Sequence, residues 1–250
     1  MRQLKKWIVG AVALFLILLG SQSQGLTVKN PFWFDQRLYY LDLVIANSSR
    51  GETVKSMKQR SGAVYAVNGG YFGRNMNQGE CDLFMIGRIQ YRGQDLSKCP
   101  LQWRRGRISM GGIVIIGFKP IPGCLWSMEV GPVLVLNGRV VQSYQYFYAG
   151  HWNRVTLRNI IAIKGNRVYF LRVVGSLWKI AKYLEKSGYD SAFNLDGGSS
   201  SRANARVMTA IVVKRKTDPV FLEYLQQKNR PAWLRTAPKA IWGSSAPISP

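Results

Sequence analysis

Apolar and polar positions along this chain alternate in short blocks, and the blocks read mostly as strands. Residues 38–45, 63–67, 112–118, 133–136, 160–163, 168–173 and 208–213 are runs of β-branched, aromatic and aliphatic residues, bounded by glycine, asparagine or charge, the composition expected of buried or half-buried strands. Three pairs of runs are separated by turn dipeptides: Gly87-Arg88, Asn137-Gly138 and Gly165-Asn166. Asn-Gly predicts the clearest hairpin, since it supplies the two positive-φ residues of a type I′ turn. Residues 26–34 read as a linker or a leading strand, and residues 92–107, basic and rich in turn formers, as a mobile loop.

Helical spacing is rarer. Leu177, Ile180, Ala181 and Leu184 fall on one face, with Ser176 placed to cap the start and Gly188 to end the helix. A shorter helix is expected from Asp218-Pro219, an N-cap followed by proline at the first helical position, to Lys228 before Pro231. The pattern predicts an α+β domain with a mixed or antiparallel sheet at its centre. Its bounds are read as residues 38–235, after a segment at 1–23 and a linker at 24–37, and before a Pro/Ser-rich tail at 236–250 expected to be disordered.

Composition narrows the class. A chain of 250 residues that is 47% hydrophobic has ample length and apolar content for a core of its own. Arg2, Lys5 and Lys6 precede thirteen positions from Trp7 to Leu19 that are nearly all apolar, followed by Ser21-Gln22-Ser23. This is the grammar of an export signal, either cleaved or kept as an anchor. Lys+Arg outnumber Asp+Glu by 35 to 12, a balance that attracts polyanions: phosphorylated or anionic glycans, an anionic membrane surface, or nucleic acid. Export makes nucleic acid the least expected of these. Cys81, Cys99 and Cys124 match no zinc spacing, and Cys81 with Cys99 is the nearer pair for a disulfide.

Two stretches carry the candidate chemistry. Phe193-Asn194-Leu195-Asp196-Gly197-Gly198-Ser199-Ser200 and Ala66-Val67-Asn68-Gly69-Gly70-Tyr71-Phe72 share a grammar: an apolar strand, a polar residue, two glycines, then hydroxyls or aromatics. Glycines in such loops permit positive φ and close approach of backbone N–H groups to an anion. The Asp196 loop taken alone reads first as a plain hairpin turn, because Asp-Gly and Gly/Ser clusters are ordinary turn chemistry. Together and in this order, the two segments resemble the signature motifs of the phosphodiester glycosidases, over roughly residues 39–213.

The resemblance implies hydrolysis of the bond between a sugar anomeric carbon and a phosphodiester oxygen. Such a leaving group is already a stabilised anion, so phosphate neutralisation matters more than a general acid. Asp196 is then the first carboxylate and Glu80 the second, with a solvated loop acid as the alternative for Glu80; Glu129 follows as third. Arg158, ahead of the run Asn159-Ile160-Ile161-Ala162, would be the bidentate phosphate clamp, although Asn159 and Ala162 stand where the family usually has Thr and Gly. The alternative for Arg158 is a solvated strand-edge cation. Asn68, Gly69, Gly70, Tyr71, Gly197, Gly198, Ser199 and Ser200 are the expected substrate-binding groups, with an Asx-turn as the alternative for Asn68 and core packing for Tyr71. No spacing demands a metal, though Asp196, Glu80 and nearby carbonyls could hold a divalent cation. A non-catalytic binder of anionic cell-envelope glycans or polyphosphate on the same scaffold is the rival reading.

Overall fold

Every strand that pairs does so with an antiparallel partner, in a computed structural model that describes residues 26–70, 83–86, 89–92, 106–118, 121, 123–141, 153–202 and 204–229. In chain order the elements are β1 (Thr27–Asp35), β2 (Tyr39–Ile45), β3 (Glu52–Thr53), α1 (Val54–Arg60), β4 (Tyr65–Asn68), β5 (Leu83–Ile86), β6 (Ile89–Arg92), β7 (Gly106–Met110), β8 (Val114–Gly117), β9 (Trp126–Val130), β10 (Val133–Leu136) and β11 (Arg139–Val140). There follow β12 (Thr156–Lys164), β13 (Arg167–Gly175), α2 (Leu177–Lys186), β14 (Ser191–Leu195), a 3-10 turn (Gly198–Ser201), β15 (Arg206–Val207), β16 (Thr209–Arg215) and α3 (Pro219–Lys228). The α+β expectation holds.

A six-stranded sheet in the order β1-β13-β12-β14-β10-β11 is the backbone of the molecule, and β2-β16-β4, β6-β5-β9-β7-β8 and the pair β15-β3 form three further sheets. Period-two alternation divides the long strands between two cores. Ile161 and Ile163 of β12 join Phe193 and Leu195 of β14 in the main core, against Leu41, Leu43, Ile211 and Val213 of the three-stranded sheet and Ile108 and Met128 of the five-stranded one. Their neighbours Ile160 and Ala162 face the other way, onto Leu177, Ile180, Ala181 and Leu184 of α2. Trp126 ties two sheets together by donating its indole N–H to the Leu41 carbonyl at 2.7 Å. Gly106 is required where the sheets meet, since a Cβ there would stand 2.1 Å from Val133 Cγ2.

Local signals and structure agree at several points. Asn137 and Gly138 have φ of 51° and 73°, and Val135 pairs with Val140 across them. Gly188 (φ 72°) ends α2 with both bonds of a Schellman motif, Tyr189 N–H to Leu184 carbonyl and Gly188 N–H to Glu185 carbonyl. Asp218 caps α3 through its carboxylate, which accepts from the Val220 N–H. Other points differ. Ser176 occupies the cap position of α2 without a side-chain cap bond. Of the two readings for residues 26–34, the strand holds: β1 is paired with β13 along the sheet edge. The short elements α1, β7 and β9 were not legible as such, and residues 93–105 of the expected loop lie outside the described residues.

Candidate active site

The two glycine stretches meet. β4 and β14 belong to different sheets, yet both end at the same place, and the chain that leaves each is hydrogen-bonded to the other. The Asp196 N–H donates to the Gly69 carbonyl at 3.2 Å. In return the Asn68 side-chain amide donates to the Asp196 carbonyl at 2.6 Å. Residues 128 apart in sequence are thus locked main chain to side chain in a buried setting, where an unmade hydrogen bond costs about 1–3 kcal/mol.

Asn68 is the last residue of β4 rather than part of a loop, and only 2% of its surface is exposed. Asn159 of β12 is the bridge. Its amide donates to the Asn68 side-chain oxygen, to the Asp196 carbonyl at 2.9 Å and to the Ser201 hydroxyl at 2.8 Å, so two hydrogens serve three acceptors. From the opposite side Thr209 of β16 accepts the Gly70 N–H on its hydroxyl at 3.0 Å, while its carbonyl accepts the Gly69 N–H at 2.9 Å. Sequence reasoning saw Asn159 only as a departure from a pattern and Thr209 only as the start of a strand. Their signal is visible in hindsight: a polar residue stands where the strand pattern calls for an apolar one.

The glycines are there for two different reasons. Gly198, with φ of 61°, needs the left-handed region and begins the 3-10 turn that carries Ser199 and Ser200. Gly197 has φ of −128°, so conformational freedom is not its role. A Cβ at Gly197 would stand 2.8 Å from the Leu157 carbonyl oxygen and 3.3 Å from the Arg158 Cα, and one at Gly69 would stand 2.7 Å from the Thr209 hydroxyl. These two residues are glycine because neighbouring backbone and side chain lie too close, which corrects the expectation of positive φ there.

Asp196 sits just past the end of β14, 9% exposed, with its carboxyl pushed up to about 6. Burial is the main cause, and hydrogen bonds from the Ser200 hydroxyl, the Gly197 N–H and the Asn68 side chain act against it. A carboxyl so placed is mostly ionised at neutral pH and already held by donors. Arg158 is 5% exposed, which is not the exposure of a solvated strand-edge cation. It and Asn159 are consecutive on β12, so their side chains leave opposite faces of the sheet. Its guanidinium donates to the Arg154 carbonyl at 3.2 Å.

Of the expected substrate-binding groups, Asn68, Gly69, Gly70, Gly197, Gly198, Ser199 and Ser200 therefore gather around Asp196. Tyr71 and Glu80 lie outside the described residues, as do Cys81 and Cys99. Cys124 is buried and free, its thiol pushed up by burial. For Glu129, on β9, the structure gives its backbone register, opposite Arg107 of β7. Among the described residues, no group of three or more His, Cys, Asp or Glu gathers into a metal-binding cluster, and no helix is long and apolar enough to cross a membrane.

Comparison with known proteins bears on this arrangement. Residues 61–231 match the family model described as phosphodiester glycosidase. The chain is 25% identical over 183 residues to bovine N-acetylglucosamine-1-phosphodiester alpha-N-acetylglucosaminidase, covering 62% of this chain and 33% of that protein. It therefore spans about a third of the length of the curated relative it matches. Its fold is similar to the zebrafish N-acetylglucosamine-1-phosphodiester alpha-N-acetylglucosaminidase catalytic domain auto-inhibited by pro-peptide, with a TM-score of 0.54 at 16% identity over 77% of this chain and 84% of that one. A hypothetical protein from Synechocystis is similar to the same degree, with a TM-score of 0.56 at 15% identity over 76% and 62% of the two chains. The family match takes in both glycine stretches and Asn159 between them, and on it the chain belongs to the phosphodiester glycosidase family of hydrolases.

Proposed function

We propose that this chain hydrolyses a sugar-1-phosphodiester, transferring the anomeric carbon from a phosphodiester oxygen to water. The observation that carries this reading is the lock between the two glycine stretches, which gives a buried carboxylate a rim of N–H and hydroxyl donors. As the bond from C1 to the phosphate oxygen breaks, positive charge builds on the sugar ring, and the Asp196 carboxylate is the group to stabilise it or to activate the incoming water. Water adds to C1 and the phosphate leaves as a monoester anion, so little protonation of the leaving group is needed. Asn68, its amide committed to Asp196 and Asn159, would position the reacting carboxylate, and the Ser199 and Ser200 hydroxyls with the backbone after Gly197 would face the phosphate. Arg158 enters as the phosphate cation and Glu80 as the second carboxylate from the family resemblance of their segments, Arg158 being a buried cation one residue from Asn159. Glucosamine-type sugars are the first to try, since the bovine and zebrafish relatives are N-acetylglucosaminidases. Export through residues 1–23, or anchoring by them, belongs to the same reading.

The test is sugar release from UDP-N-acetylglucosamine by the wild-type chain, Asp196→Asn and Arg158→Ala. Loss of a carboxylate acting on the reacting carbon lowers turnover by about 100-fold or more. Equal rates in all three remove the assignment. The net charge of +23 favours one other reading, a non-catalytic binder of anionic glycans; salt-sensitive binding with no turnover by any form would select it.

A further inference from the structure

A cleft of about 810 Å³ opens at the other end of the six-stranded sheet, between the β12–β13 turn and the start of β2. From Asn159 to Lys164 the strand β12 advances by about 16 Å, so the cleft is separate from the glycine stretches. Three large apolar residues that the fold leaves exposed line it together: Trp33 at 48%, Leu38 at 64% and Val64 at 44%. Trp33 and Leu38 come from β1 and the turn that follows it, and Val64 from the approach to β4, which the stacked rings of Phe32 and Tyr65 hold against β1. Exposed apolar area of this kind, gathered in a concavity of ligand size, marks a binding surface.

Its charge is cationic. Arg37, Lys164 and Arg167 line the cleft against the single carboxylate Asp35, which Arg37 holds at 2.5 Å. The Arg167 guanidinium lies 4.4 Å from the centre of the Trp33 ring, and Arg215 stands in the same relation to Tyr39 at 5.6 Å. An indole that keeps half its surface open beside a guanidinium is suited to a flat apolar sugar face with an anionic group next to it. The Asn166 amide adds a donor and an acceptor for hydroxyls, while both Asp35 oxygens are taken by Arg37.

We propose that this cleft is a second, non-catalytic binding site for an anionic saccharide, one that carries phosphate, sulfate or carboxylate groups. The half-open Trp33 indole beside the Arg167 guanidinium suits a sugar ring that carries an anion, and a flat lipid surface and a polynucleotide are the occupants the test separates from it. The proposal rests on the cleft alone and stands whether or not the Asp196 site hydrolyses anything.

Fluorescence anisotropy with a labelled heparin oligosaccharide tests it, with a maltose oligosaccharide, a single-stranded oligodeoxynucleotide and phosphatidylglycerol vesicles as competitors. The full chain is expected to bind the heparin probe, and Trp33→Ala and Arg167→Gln each to weaken it about tenfold. Asp196→Asn should bind as the wild type does, and circular dichroism of each variant should match it. Four results overturn the proposal: no binding by the wild type, unchanged affinity in both cleft variants, equal loss in Asp196→Asn, or preferential displacement by the oligodeoxynucleotide or the vesicles.

Discussion

Replacing Gly197 with alanine puts the packing around Asp196 to a quantitative test. The added methyl would stand 2.8 Å from the Leu157 carbonyl oxygen, a backbone atom that cannot rotate away, so the Asp196 loop and β12 must separate by about half an ångström to reach ordinary contact at 3.4 Å or beyond. Overpacking of this kind costs about 1–3 kcal/mol, which in a domain of this size lowers Tm by roughly 2–10 °C. The same movement stretches the Asn159 amide's bond to the Asp196 carbonyl from 2.9 Å to the limit of a useful hydrogen bond. Displacing a reacting carboxylate on that scale lowers kcat/KM by about tenfold or more. Gly198→Ala is the control. It has nothing within 4 Å of the new methyl and a φ of 61°, so it costs about 1–2 kcal/mol of backbone strain without pressing on β12. Thermal unfolding and sugar release, measured on both variants, should show the larger loss of turnover in Gly197→Ala. Wild-type Tm and turnover in Gly197→Ala would refute the close-approach argument.

Three more outcomes follow from the same structure. Asn159→Ala strips a donor from three acceptors and should cost about 2–4 kcal/mol in urea unfolding; Asn159→Asp, which turns a carboxylate toward those acceptors, should cost more, and the reverse order would contradict the bridge. Because burial holds the Asp196 carboxyl up at about 6, kcat/KM should rise as pH passes through 6 and level off above it, whereas a profile falling over that range would show that the protonated form is the active one. Asp42, 1% exposed and 3.5 Å from Lys214, is likewise pushed up to about 6 by burial. Its folded-state value lies above the unfolded one, so the neutral carboxyl favours the fold below about pH 4 and that contribution disappears as pH rises through 6. Asp42→Asn should therefore gain about 2–3 kcal/mol on the wild type between pH 4 and pH 7, and a pH-independent difference would contradict the assignment.

Much of the fold was legible because period-two alternation and turn chemistry are local. The Asn137-Gly138 hairpin, the Schellman end of α2 at Gly188 and the Asp218 cap of α3 each rest on a few adjacent residues. Short elements such as β7, of five residues, and α1, of seven, were not, since neither carries a clear apolar period and the place of β7 is decided by a distant partner, β9. At the site, Asp196 and Asn68 stood out through the glycines after them. What could not be read was why the glycines are needed: at Gly197 and Gly69 the reason is the closeness of Leu157 and Thr209, which only the tertiary fold supplies. Asn159 was hidden for the same reason, because a lone amide in a strand reveals neither its face nor its partners.

The central claim is that the Asn68 and Asp196 stretches form one site for a sugar phosphodiester. A crystal structure of the Asp196→Asn chain soaked with an intact sugar-1-phosphodiester tests it most directly. The account predicts the anomeric carbon beside the residue 196 side chain, with the phosphate against the Ser199–Ser200 turn; the ligand seated elsewhere, in the Trp33 cleft for instance, with the two glycine stretches empty, would contradict it.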